Sequence, residues 1–126
     1  MKIQESAENY LETILMLSKK NPFVRSIDIA TELNFSKPSV SVAMKNLRQN
    51  GYIEMGADGH ISLTESGMKI ASSMLERHNL LTSWLISVGV DPETAAEDAC
   101  RLEHVISPQS FAAIKDHLEK EHLNIK

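Results

Sequence analysis

The stretch SIDIATELNFSKPSVSVAMKNLRQNGYIEMGADGHISL, from Ser26 to Leu63, decides the fold of this chain. Ser26 precedes Ile27, Ala30 and Leu33, apolar at every third residue, which predicts a helix of about two turns. Asn34 and Phe35 turn the chain, and Ser36 is placed to cap a further helix. In that helix Val40, Ala43, Met44 and Leu47 form the inward face, and Pro38 falls in the first turn, where its missing N–H does no harm. Asn50-Gly51 ends it. The period then changes from helical to alternating: Tyr52 to Met55 and His60 to Leu63 read as two short strands around Gly56-Ala57-Asp58-Gly59. Short helix, tight turn, helix and hairpin form the order of a winged helix-turn-helix once a bracing helix precedes them.

That bracing helix is predicted upstream, with Ser6 as its cap, an end near Lys19, and Tyr10, Leu11, Ile14 and Leu17 as a buried stripe. Downstream, Thr64-Glu65-Ser66-Gly67 opens a long helix with Met68, Ala71, Met74, Leu75, Leu81 and Leu85 inside, ending near Val88-Gly89. Asp91-Pro92-Glu93 starts a helix to about Ile106, and Ser107-Pro108 starts a last one to about His122. The expected fold is mostly α: a winged helix-turn-helix over residues 1–72, then a helical metal-binding and dimerisation domain over 73–126.

With 126 residues, 42% of them hydrophobic and 24% charged, the chain can bury one ordinary core or two small ones. No apolar run approaches the roughly 18 residues of a membrane span, and Met1 to Glu8 contains no signal-peptide core, so no membrane association and a cytoplasmic location are expected. The net charge of −4 is unevenly spread. From Ser18 to Asn50, Lys19, Lys20, Arg25, Lys37, Lys45 and Arg48 face only Asp28 and Glu32; six against two is +4, leaving −8 elsewhere. A basic segment on an acidic body suits a protein that meets phosphates at one end. The candidate DNA contacts are Ser36, Lys37, Pro38, Ser39 and Ser41 at the exposed start of the second helix of the motif, with Lys45, Arg48 and Arg25 for backbone phosphates. Winged helices also dock proteins, so the pattern alone leaves that alternative open.

A second constellation lies near the C-terminus. Cys100, Glu103 and His104 stand at i, i+3 and i+4 and leave one helix face together. Thiolate, carboxylate and imidazole suit a first-row divalent cation better than Mg²⁺ or Ca²⁺, which want oxygen alone. One helix face rarely completes a coordination sphere, so further donors are expected from other helices: Asn9 and Glu12 from the first, His78 from the long one. Each residue taken singly has a plainer reading, Cys100 as a core thiol, His78 as an exposed helix residue, Glu103 and His104 as a solvated face. His117, Glu121 and His122 form another i, i+4, i+5 set, expected to be solvated because a terminal turn frays. No nucleophile with a placed base and no phosphate loop is present, so an enzyme is not expected.

Glu8-Asn9-Tyr10-Leu11-Glu12-Thr13-Ile14, Ser36-Lys37-Pro38-Ser39-Val40-Ser41 and, most specifically, Asp98-Ala99-Cys100-Arg101-Leu102-Glu103-His104-Val105-Ile106-Ser107 resemble the diphtheria toxin repressor family of iron- and manganese-dependent regulators. The likeness runs from about Ser6 to Leu118. It implies a homodimer that binds palindromic operators in double-stranded DNA when loaded with metal, and so represses metal-uptake genes. Cys100, Glu103 and His104 match the iron-type primary site, in which a methionine stands at the position of Asn9. Manganese-type members have aspartate there, glutamate at Glu12, histidine at His78 and glutamate at Cys100. The chain therefore resembles a hybrid. An iron-type ancillary site would want an acid at Thr82 and a histidine at Ala96, and neither is present. The resemblance also implies a short form without the SH3-like third domain. The expected core ligands are Glu12, Cys100, Glu103 and His104, with Asn9 and His78 completing one site or contributing to a second. Cys100 softens the set toward iron(II), while Glu12 and Asn9 harden it toward manganese(II); of the two, iron(II) is favoured.

Overall fold

The computed structural model describes residues 5–121, which form α1 (Glu5–Ser18), α2 (Ser26–Leu33), α3 (Lys37–Gln49), β1 (Ile53–Met55), β2 (Ile61–Leu63), α4 (Glu65–Ser87), α5 (Pro92–Val105) and α6 (Pro108–Lys120). They divide into two compact units between Ser73 and Met74, a point inside α4.

In the first unit α1 packs on α2 and β2, α2 on α3, and α3 on β1. Leu11, Ile14, Val24, Ile29, Val40, Met44, Ile53, Ile61 and Ala71 are among its buried side chains, each fully buried large residue contributing about 1.5–3 kcal/mol. The third helix begins as the sequence predicts: the Ser39 N–H donates to Ser36 Oγ at 3.3 Å, and Pro38 occupies the first turn. The hairpin also forms, β1 and β2 pairing antiparallel with Ile53 opposite Leu63 and Met55 opposite Ile61. Beyond it, the Ile61 N–H donates to the Val24 carbonyl at 2.8 Å, so β2 is held on both edges. Gly67 is fixed by close approach, since a Cβ there would overlap the Tyr52 carbonyl as α4 leaves the hairpin.

Two expectations fail here, Ser6 as a cap and Met68 as a buried residue. Ser6 lies inside α1, which already begins at Glu5. The helix predicted from the Ile27, Ala30 and Leu33 spacing forms, but a three-residue spacing drifts about 60° per step on a helix of 3.6 residues per turn, so Ile27 is 44% exposed while Ile29 and Ala30 are buried. Met68 is 42% exposed, lying roughly 100° around from the direction shared by Gly67, Ala71, Met74 and Leu81.

In the second unit Leu80, Phe111 and Leu118 form a cluster with Trp84, Ile106 and Ile114 packed against it. Asp91 accepts from the N–H groups of Glu93 and Thr94 to start α5, and Ser107 from that of Ser110 to start α6, both as the sequence predicts. Gly89, at φ +104, supplies the left-handed turn that follows α4. His117 and Glu121 are exposed; His122 lies outside the described residues. Among the described residues, no helix is long and apolar enough to cross a membrane.

Candidate functional site

The first unit presents α3 with one face buried and the other open. Arg25, Ser36, Lys37, Pro38, Ser39, Ser41, Lys45 and Arg48 are all exposed, so the structure brings every predicted DNA contact to the surface of one short segment. Ser36 and Ser39 are partly engaged with each other: Ser36 Oγ donates to Ser39 Oγ at 2.8 Å while capping the helix. Arg25 is the residue before α2, its N–H held by the Asp28 carboxylate at 2.9 Å, which leaves the guanidinium outside the cap. At the wing, Asp58 Oδ1 accepts the His60 N–H at 3.0 Å, and that bond holds the Asp58 carboxyl below its ordinary pKa. The same unit carries Asn9 and Glu12 one turn apart on α1, Asn9 half-buried and Glu12 buried.

The second unit places a carboxylate between two imidazoles. Glu103, on α5, is 0% exposed. From α4, His78 Nδ1 donates to Glu103 Oε1 at 2.9 Å. An ionised carboxylate only accepts, so this bond puts the proton of a neutral His78 on Nδ1 and leaves Nε2 with its lone pair. The second oxygen, Glu103 Oε2, is buried with no hydrogen-bond partner among the described residues, and His104 Nε2 stands 3.5 Å from it. Burying a carboxylate with one oxygen unbonded costs several kcal/mol by general estimates, unless a cation meets it. Imidazole nitrogen and carboxylate oxygen are the donors a first-row divalent ion prefers, so the residues present fit such an ion.

The arrangement rests on a residue that sequence reasoning missed. Arg77 donates through Nη1 to the carbonyl oxygens of Glu103 at 3.0 Å and Ile106 at 2.8 Å, and its guanidinium lies 5.4 Å from the centre of the Phe111 ring. These are carbonyls at the end of α5, which the helix cannot bond internally. Arg77 thus ties the end of α5 to α4 beside His78. Cys100 stands one turn earlier on α5 with an exposed side chain. The unit therefore brings His78, Glu103 and His104 together, while the Cys100 side chain faces the surface.

Residues 2–61 match the family described as "Iron dependent repressor, N-terminal DNA binding domain". Residues 64–123 match "Iron dependent repressor, metal binding and dimerisation domain". The transcriptional regulator MntR of Escherichia coli O157:H7 is 33% identical over 93% of this chain and 76% of its own length. The iron-dependent repressor IdeR of Mycobacterium tuberculosis H37Rv is 33% identical over 82% of this chain and 45% of its own. Among solved structures, a manganese-dependent transcriptional repressor in complex with manganese superimposes with a TM-score of 0.83 at 27% identity, covering 90% of this chain and 52% of that one. The chain spans about half the length of the latter two proteins.

Proposed function

This chain belongs to the iron-dependent repressor family, metal-dependent DNA-binding regulators that dimerise and are not enzymes, and from that premise we propose that it represses metal-uptake genes in the cytoplasm by binding a palindromic operator when loaded with a divalent cation, iron(II) in preference to manganese(II). The observation that carries the reading is the buried Glu103 carboxylate, one oxygen bonded to His78 and the other beside His104. Glu103, His104 and His78 are the proposed ligands from α4 and α5. Cys100 joins them on the strength of its position one turn before Glu103, and Asn9 and Glu12 of α1 on the sequence reading. The cation would supply positive charge to donors that are otherwise costly to bury.

On this reading, the exposed hydroxyls and cations of α3 meet the major groove, and Arg25 and the wing meet the flanking backbone. A two-fold dimer would set its two α3 helices about 34 Å apart, one turn of DNA. Metal and DNA binding are then linked, with a coupling of about 1–3 kcal/mol. Manganese(II) is a second reading, favoured by one specific observation: the buried donors are nitrogen and oxygen, and the only thiol is exposed.

The test is operator binding under anaerobic conditions with iron(II), with manganese(II) and with chelator. Tighter binding with either ion than with chelator is expected, and the order of the two ions decides the metal. Equal affinity in all three conditions would exclude metal dependence. Binding to no duplex at any salt concentration would instead favour a protein-docking role.

A further inference from the structure

The open face of α3 contains a side chain that neither capping nor charge accounts for. Val42 is 60% exposed, in a helix that buries Val40, Met44 and Leu47. At 100° per residue it lies roughly 170° around from the direction those three share, so it stands at the middle of the outward face. Pro38, one turn earlier, is exposed as well, and together they form an apolar strip. Around the strip stand Ser39, Ser41, Lys45 and Asn46, all exposed. The helix contains three cations, Lys37, Lys45 and Arg48, and no acidic residue.

An apolar strip framed by cations and hydroxyls fits a surface that is anionic at its margins and carries apolar groups along its floor. The major groove of duplex DNA is such a surface, with phosphates at its rims and the thymine C5-methyl as the apolar group on its base edges. Valine has no donor or acceptor, so it cannot read a base by hydrogen bonding; what it can distinguish is a methyl from a hydrogen. We infer that Val42 is a specificity-determining residue that packs on a thymine methyl and so fixes a thymine in each half of the operator. The inference rests on the reading of α3 as the helix that enters DNA.

The experiment isolates one methyl group. A duplex is selected from a random pool by the full chain at saturating metal, and each thymine is then replaced singly by uracil, which keeps every hydrogen-bonding atom and deletes only the methyl. Wild type is expected to lose about fourfold in affinity at one position per half-site, the transfer free energy of one buried methyl. Val42→Ala should bind the thymine duplex correspondingly more weakly and be indifferent to uracil at that position. Val42→Thr, nearly isosteric, should fall between them and guards against a general disturbance of the helix. If wild type tolerates uracil everywhere, or if Val42→Ala shows the same uracil sensitivity as wild type, the assignment is overturned while DNA binding stands. Failure of wild type to select any duplex, with no dependence on salt, overturns both.

Discussion

Replacing Glu103 by glutamine keeps the shape of a fully buried side chain and removes its charge, and its two consequences should have opposite signs. Without metal, the wild type holds a buried carboxylate with one hydrogen bond and one oxygen beside an imidazole. Glutamine Oε1 can still accept from His78 Nδ1, so the variant escapes most of the desolvation cost of the charge. Replacing buried ionic groups with neutral ones of similar volume is neutral or stabilising by about 1–4 kcal/mol. We take about 1–2 kcal/mol here, since the glutamine amide group finds only partial hydrogen bonding beside His104. With metal, the variant has lost a donor. Loss of an outer-shell partner already weakens a site about 10–100-fold, so a direct ligand should cost at least ~100-fold. At a metal concentration of 100 times the wild-type dissociation constant, wild type gains about 2.7 kcal/mol and the variant, now near its own dissociation constant, about 0.4 kcal/mol. The stability order therefore inverts: Glu103→Gln is the more stable protein in chelator and the less stable one in metal. Differential scanning calorimetry at two metal concentrations measures both limbs. A variant that is less stable in chelator and keeps the full metal-induced shift would refute the reading of Glu103 as a buried ligand.

Lys45→Ala should weaken binding to all duplexes alike and reduce the slope of log affinity against log salt by about 0.9, one phosphate contact; an unchanged slope would remove Lys45 from the interface. Gly67→Ala should destabilise the chain by about 1–3 kcal/mol in urea unfolding, because the added methyl overlaps the Tyr52 carbonyl and one backbone must shift. The Asp58 carboxyl is held below its ordinary pKa by the His60 N–H. Its contribution is thus present above the unfolded-state pKa near 3.8 and fades as pH falls through the lower folded value, and in Asp58→Ala that acid-limb component of the stability profile should be missing.

Legibility in the sequence followed the range of the interaction. The caps at Ser36, Asp91 and Ser107 involve residues two or three positions apart, so each was readable from local spacing. The hairpin was readable from a change of period around a glycine-bounded turn. Met68 was misplaced because the centre of an apolar stripe is not fixed until the helix's partner is known, and the partner is tertiary. The i, i+3, i+4 spacing of Cys100, Glu103 and His104 indicated a chelating face, but the exposure of Cys100 and the bond between His78 and Glu103, 25 residues apart, were not contained in that spacing. Arg77 left no signal at all: an arginine on a helix reads as a solvated charge until two carbonyls from another helix are seen beneath it. Val42 could have been found, since a valine opposite the buried stripe of α3 breaks the binary pattern of that helix.

The hydrogen bond from Ile61 to the Val24 carbonyl has a bearing on how the wing can vary. With β1 paired along one edge of β2 and the Val24 carbonyl bonded to Ile61 on the other, the strand is fastened on both sides at the residue next to the turn, and the Thr64 N–H, donating to the Tyr52 carbonyl at 3.1 Å, closes the root, so the body of the hairpin is clamped whatever its tip does. Reach and stability are thereby uncoupled. The turn from Gly56 to Gly59 is free to lengthen, shorten or change sign of charge as a target requires, much as an interchangeable tip fits a fixed handle.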